Sequence, residues 1–126
     1  MGLDLVAIAR VDRLLARKGE RALVRLLTPG ERAYCERQPA PARHIAARLA
    51  AKEAAYKAFR AAGLGKGIGW TELEVSRDGD GLPTLRLHGS AQVAARALGV
   101  TAAMLSISHT EDHAACVVIL TADNPD

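Results

Sequence analysis

Residues 43–62 read RHIAARLAAKEAAYKAFRAA. This stretch is dense in Ala, Leu, Lys, Glu and Arg, the best intrinsic helix formers, so it is expected to be one long helix. Ile45, Leu49, Tyr56 and Phe59 recur at helical spacing and define an apolar stripe. Lys52 projects inside that stripe, where an ammonium must snorkel to water or find a partner, because an unpaired buried charge is costly. Arg48 lies one turn before it. Glu53 and Lys57 border the stripe four residues apart, a spacing that suits an ion pair. Helix geometry alone leaves two readings of this polar flank: salt bridges on a surface helix, or a site built along its edge.

Working outward, Gly63, Gly65, Gly67 and Gly69 end the helix in a Gly-rich connection. Trp70 to Arg77 alternates as a strand, Asp78-Gly79-Asp80-Gly81 is a hairpin turn signal, and Leu82 to His88 is the returning strand. Ser90 is expected to cap a helix over 91–98 closed by Gly99. Met104 to His109 and Ala114 to Leu120 form a second hairpin around a short polar turn. Upstream, Gly2 to Ala7 reads as a strand, with Leu3, Leu5 and Ala7 on one face and Asp4 on the other. VDRLLARKGERALVRLL follows as a helical pattern broken at Gly19. Thr28, Pro29 and Glu31 form the start of a further short helix, with a capping box. Helices and hairpins in this order imply an α+β fold, one domain over 1–120 with a largely antiparallel sheet and one long helix packed on it, then a polar tail over 121–126.

Composition is that of a globular domain, 49% hydrophobic and 25% charged, with aromatics at only 3%. No window approaches the roughly 18 apolar residues of a membrane span, and no basic-then-apolar leader opens the chain. Two cysteines, Cys35 and Cys116, show no metal or redox spacing, which suits a reducing cytoplasm. The net charge of +3 favours an acidic partner or a polyanionic small molecule. Nucleic acid is disfavoured, since there is no Lys/Arg run and few aromatics to stack on bases. Arg13, Arg17, Arg21 and Arg25 recur every four residues, either a solvated face or a basic ridge for an acidic protein.

Two further features carry chemistry. Asp4 interrupts an apolar strand, so it faces water or has a task. With Glu53 it would supply the one or two carboxylates that magnesium takes beside substrate phosphates. Ser106-Ile107-Ser108-His109 ends a strand at a polar turn, and could present hydroxyls, amides and an imidazole to a phosphate.

These motifs together resemble one family. Gly2-Leu3-Asp4-Leu5-Val6-Ala7-Ile8-Ala9-Arg10 is similar to the G-x-D-[IL]-V-x-I-x-R opening of the small bacterial 4'-phosphopantetheinyl transferases, the holo-acyl-carrier-protein synthases. Leu27-Thr28 with Glu31 resembles their L-T-x-x-E. Arg48-Leu49-Ala50-Ala51-Lys52-Glu53-Ala54 with Lys57-Ala58 resembles R-[FW]-A-A-K-E-A-x-x-K-A. Trp70, Glu72-Leu73-Glu74-Val75, Gly81 and Pro83 resemble their W-x-[DE]-[IL]-E-V and G-x-P hairpin, and Ser106 to His109 their S-[IL]-[ST]-H. Two positions depart: Leu49 replaces Phe or Trp, and Gly63-Leu64-Gly65 replaces G-T-G.

The resemblance implies transfer of the phosphopantetheine arm of coenzyme A to a serine of acyl carrier protein, in fatty acid biosynthesis. It implies magnesium on Asp4 and Glu53, with Glu53 also a candidate base and Lys57 on the reacting phosphates. Arg48, Lys57 and His109 would contact phosphates, and Gly63, Gly65, Ser106 and Ser108 would line the coenzyme pocket. Arg10, Arg13, Arg17 and Arg21 are the docking candidates for the acidic carrier, and a homotrimer with sites between subunits is implied. Two other readings remain: a non-catalytic binding module, and a different magnesium-dependent phosphate transferase or nucleotide hydrolase. For the second, Gly65-Lys66-Gly67 lacks the hydroxyl and preceding strand of a phosphate-binding loop.

Overall fold

In the computed structural model, which describes residues 1–122, the long helix is the centre of the molecule. Strand β1 (Gly2–Ala7) leads into α1 (Ile8–Lys18), α2 (Glu20–Leu26) and α3 (Pro29–Glu36). Helix α4 (Pro41–Ala61) follows, then a 3-10 turn at Trp70–Glu72, the hairpin β2 (Leu73–Arg77) and β3 (Pro83–Leu87), α5 (Gly89–Ala97), and the hairpin β4 (Val100–His109) and β5 (His113–Ala122). One antiparallel sheet has the order β1-β5-β4, and β2-β3 is a separate antiparallel pair. The expected α+β architecture is therefore present.

Helix α4 has no single apolar stripe. Ile45 to Lys52, Ala54, Ala55, Ala58 and Phe59 are all buried, so the helix is enclosed on most sides. Its small side chains let neighbours come close. A Cβ on Gly2 would lie 1.8 Å from the Ala54 carbonyl oxygen, so glycine is what allows β1 to lie against the helix backbone. The expected division of β1 into a Leu3/Leu5 face and an Asp4 face holds, and this contact decides which face is inside. Gly2 and Val6 are the buried side, Asp4 shares it, and Leu3 and Leu5 point outward at 66% and 63% exposure.

Other departures are local. Trp70 to Glu72 turn before the strand begins: Lys52 donates to the Trp70 carbonyl, and the Glu72 side chain accepts from the Gly69 amide that precedes the turn. Ser90 lies inside α5 and does not cap it; the Glu72 carboxylate accepts from the Ser90 amide instead. Strand β5 runs through Thr121 and Ala122, so these belong to the sheet, and the remainder of the expected tail, 123–126, lies outside the described residues. The capping box on α3 is present as expected, with Thr28 and Glu31 each bonding the other's backbone. Cys35 and Cys116 are free and buried, and burial pushes their thiols up to about 11 and about 12. Among the described residues no helix is long and apolar enough to cross a membrane.

Candidate active site

Asp4 and Glu53 meet where β1 crosses α4. Their carboxyls are close enough that each shifts the other's pKa. Lys57 Nζ donates to Asp4 Oδ1 at 2.6 Å and to the Leu3 carbonyl at 3.3 Å. Arg10, in the first turns of α1, donates Nη2 to Glu53 Oε1 at 3.0 Å and Nη1 to Oε2 at 3.5 Å. So the expected Glu53–Lys57 pair does not form. Each residue has a partner from another element, because β1 and α1 fold onto that edge of α4.

The two carboxyls are unequal. Burial raises the Asp4 pKa, but the adjacent Glu53 carboxyl, the Lys57 hydrogen bond and the charges of Lys57 and Arg10 outweigh it, and the net shift is down. Burial and the neighbouring Asp4 raise Glu53, and Arg10 opposes them only in part. One oxygen, Asp4 Oδ2, is buried with no hydrogen-bond partner. An orphaned carboxylate oxygen beside a second carboxylate fits a hard divalent cation. Among the described residues no group of three or more His, Cys, Asp or Glu gathers anywhere. Two carboxylates with the remaining positions left to phosphates and water is how magnesium is commonly held.

A second cluster lies further toward the N-terminal end of α4. Arg48 is nine residues from Lys57, about 14 Å along the helix axis. It is 2% exposed, with its Nε unpartnered. Its guanidinium stacks 4.3 Å over the Tyr34 ring, and that of Arg77 stacks 4.8 Å over the same ring. His44 meets Tyr34 edge-on. Burial lowers the His44 pKa, and Arg48, Arg77, His109 and Arg43 add to the effect, so His109 belongs to this cluster electrostatically. Neither Arg48 nor Arg77 forms a salt bridge among the described residues. The pocket they line with Tyr34 also takes in Glu74, whose carboxylate is bonded to Thr28 and His88. Tyr34, His44 and Arg77 were not singled out from sequence; only the stacking of Arg48 and Arg77 on the Tyr34 ring, with His44 edge-on to it, identifies them.

The remaining expected residues lie elsewhere. Ser106 and Ser108 are exposed on the sheet face turned away from α4, and so do not meet Asp4 and Glu53 within one chain. Gly63 and Gly65 follow α4, and Gly65 takes a positive φ of 93° with no room for a Cβ against Phe59. Arg13, Arg17 and Arg21 are exposed along α1 and α2. Arg10 turns to Glu53 and Arg21 borders a cavity that Glu53 also lines.

The motif that carries Glu53 and Lys57 is matched by the family model described as the 4'-phosphopantetheinyl transferase superfamily, over residues 1–118. The chain belongs to that superfamily, in its holo-[acyl-carrier-protein] synthase family. The holo-[acyl-carrier-protein] synthase of Alkalilimnicola ehrlichii is 51% identical over 125 residues, covering 98% of this chain and 97% of that protein. The fold matches the Helicobacter pylori synthase in complex with coenzyme A, with a TM-score of 0.81, 28% identity, and 95% of this chain and 98% of that chain covered. It also matches the ACPS-CoA complex of Chronobacterium ammoniagenes, with a TM-score of 0.82, 30% identity, and 98% and 96% covered. Family membership settles the fold and the class of enzyme, a phosphopantetheinyl transferase.

Proposed function

We propose that this chain transfers the 4'-phosphopantetheine group of coenzyme A to a serine of an apo-acyl carrier protein, with magnesium, releasing 3',5'-ADP, in cytoplasmic fatty acid biosynthesis. The observation that carries the reading is the convergence of Asp4 and Glu53, with the buried Asp4 Oδ2 left unpartnered.

Asp4 and Glu53 would hold the metal, which supplies positive charge to the diphosphate oxygens when bound. The serine oxygen attacks the β-phosphorus. The bond from that phosphorus to the bridging oxygen breaks, and its electron pair leaves on 3',5'-ADP. Charge grows on phosphate oxygens as this happens, so cations already in place stabilise the transition state most. Lys57 is such a cation, held at the site by Asp4. The raised pKa of Glu53 suits it to accept the serine proton. Arg48 and His109, with Arg77 beside them, suit a further phosphate of the coenzyme.

The split of these residues supports a site shared between copies. The two clusters are separated along α4, and Ser106 and Ser108 lie on the outer sheet face. That face also carries Leu3, Leu5, Ile119 and Met104, the last 51% exposed. An apolar sheet face of this kind marks a contact surface, and a homotrimer would bury it while joining clusters from neighbouring chains. Mass spectrometry of apo-acyl carrier protein after incubation with the chain, coenzyme A and magnesium tests the reading. A gain of one phosphopantetheine per carrier is expected; an unmodified carrier with a folded enzyme would overturn it.

A further inference from the structure

Cys116 on β5 lies directly opposite Asp4 in the β1–β5 ladder. Directly opposed residues of an antiparallel pair project to the same face, with Cβ atoms about 4.5–5.5 Å apart. For this pair the face is the one against α4, where Cys116 is 1% exposed. The neighbours of the pair on that face are apolar. Gly2 and Val6 flank Asp4 on its own strand, and Ala114 and Val118 flank Cys116 on β5. Of these side chains only the thiol could offer Asp4 a hydrogen bond.

It does not offer one. Cys116 Sγ donates to the Val117 carbonyl at 3.6 Å. Lys57 holds Asp4 Oδ1, and the buried Asp4 Oδ2 is left without a partner. An unpaired buried acceptor costs stability, so a strong donor opposite Asp4 would stabilise the free chain. The place is filled instead by a weak donor turned to the backbone. We propose that Cys116 is a positioning residue of the metal site, which keeps Asp4 Oδ2 open to a divalent cation by withholding a hydrogen bond from it. The inference rests on the transferase reading, which gives magnesium to Asp4 and Glu53, and extends that site to a residue on β5.

Serine shows what the thiol withholds. It has the same branching with oxygen in place of sulfur, and its hydroxyl donates strongly to a carboxylate. A serine hydroxyl on Oδ2 would satisfy the orphaned oxygen in the metal-free chain. Magnesium would then have to break that bond before it could bind. The thiol brings no such cost, and as a soft ligand it does not compete with oxygen for a hard cation. Stability of the empty site and readiness for the ion therefore pull in opposite directions at residue 116. A side chain that served packing alone would, when changed, lower both together.

Two measurements on the full chain read the two sides. Urea unfolding gives the stability of the metal-free protein, and calorimetry gives magnesium affinity of the coenzyme A-bound protein. Cys116→Ser should raise the urea midpoint and weaken magnesium binding about tenfold, the worth of one hydrogen bond to a charged group. Cys116→Ala donates nothing to Oδ2. It should hold magnesium affinity within about threefold of wild type, with no rise in the urea midpoint. Should Cys116→Ser fail to fold, Cys116→Thr brings the same hydroxyl on a side chain suited to a strand, and the same pattern decides. Wild-type magnesium affinity in the folded hydroxyl variant would overturn the proposal. So would an equal loss of affinity in Cys116→Ala, which would make Cys116 a packing residue. Magnesium binding and phosphopantetheine transfer by the wild-type chain, measured in parallel, separate failure of this inference from failure of the transferase reading.

Discussion

Lys57 Nζ reaches Asp4 Oδ1 at 2.6 Å, joining residues 53 positions apart and fixing the first strand to the central helix at the point where Glu53 also emerges. Strand, helix and α1 therefore converge on one charged cluster, with Arg10 balancing Glu53 as Lys57 balances Asp4. Two cations lie on two carboxylates in the free chain. A divalent ion with a diphosphate brings both signs at once, so the same side chains can exchange partners without leaving a charge uncompensated.

Glu53→Gln should lower kcat by about 10²–10⁴-fold, the range for a lost proton acceptor, with metal affinity also reduced. The substitution is isosteric and Arg10 can still donate to the amide oxygen, so far-UV circular dichroism and the urea midpoint should stay near wild type. Single-turnover transfer to apo-carrier measures the rate. Wild-type turnover in this variant would remove Glu53 from the mechanism.

Gly2→Val tests how β1 is positioned. A Cβ there meets the Ala54 carbonyl at 1.8 Å, and backbone on both sides cannot yield as a flexible side chain would. Overpacking of this sort costs about 1–3 kcal/mol. Urea unfolding should show that loss. Transfer activity should fall further than stability does, because Asp4 moves with the strand.

Much of this was legible in the sequence, for identifiable reasons. The long helix, the α3 capping box and the terminal hairpin rest on local propensity and turn chemistry, and all three are present. Asp4 stood out as a carboxylate in an apolar strand and Glu53 bordered the apolar stripe of the helix, and the family resemblance put them together. What local pattern could not give was partner choice. Glu53 and Lys57 have the spacing of a helical pair, yet β1 and α1 bring Asp4 and Arg10 nearer. Lys52 was seen to need a partner. That partner, Glu31, comes from a helix 21 residues earlier and already serves a capping box. Alternation gave the two faces of β1 but not which one is buried; Gly2 admits the helix on the side that Asp4 shares.

The exposed Arg13 and Arg17 separate docking from catalysis more cleanly than Arg10, which is paired with Glu53. Reversing both to Glu should raise KM for the acidic carrier at low salt, leave KM for coenzyme A unchanged, and lose its effect as salt screens the contact. Steady-state kinetics across ionic strength measures this. An unchanged KM for the carrier at low salt would place docking elsewhere.

His44 gives the pH dependence its sign. Its folded pKa lies below the ordinary value near 6.5, through burial first and then the charges of Arg48, Arg77, His109 and Arg43. The unfolded chain therefore binds more protons as pH falls through about 6.5, and stability declines on the acid side of that value. His44→Phe should flatten this limb between about pH 7.5 and 5.5 in urea titrations. Binding of coenzyme A, which brings phosphate to the cationic cluster, should raise the His44 pKa by NMR.

Calorimetric titration of magnesium into the coenzyme A-bound chain bears most directly on the shared carboxylate site. Wild type should bind the ion, and Asp4→Asn and Glu53→Gln should each weaken binding by at least about tenfold, since each removes one of the few carboxylate ligands magnesium uses. Magnesium binding to a folded Asp4→Asn chain with wild-type affinity would contradict the account.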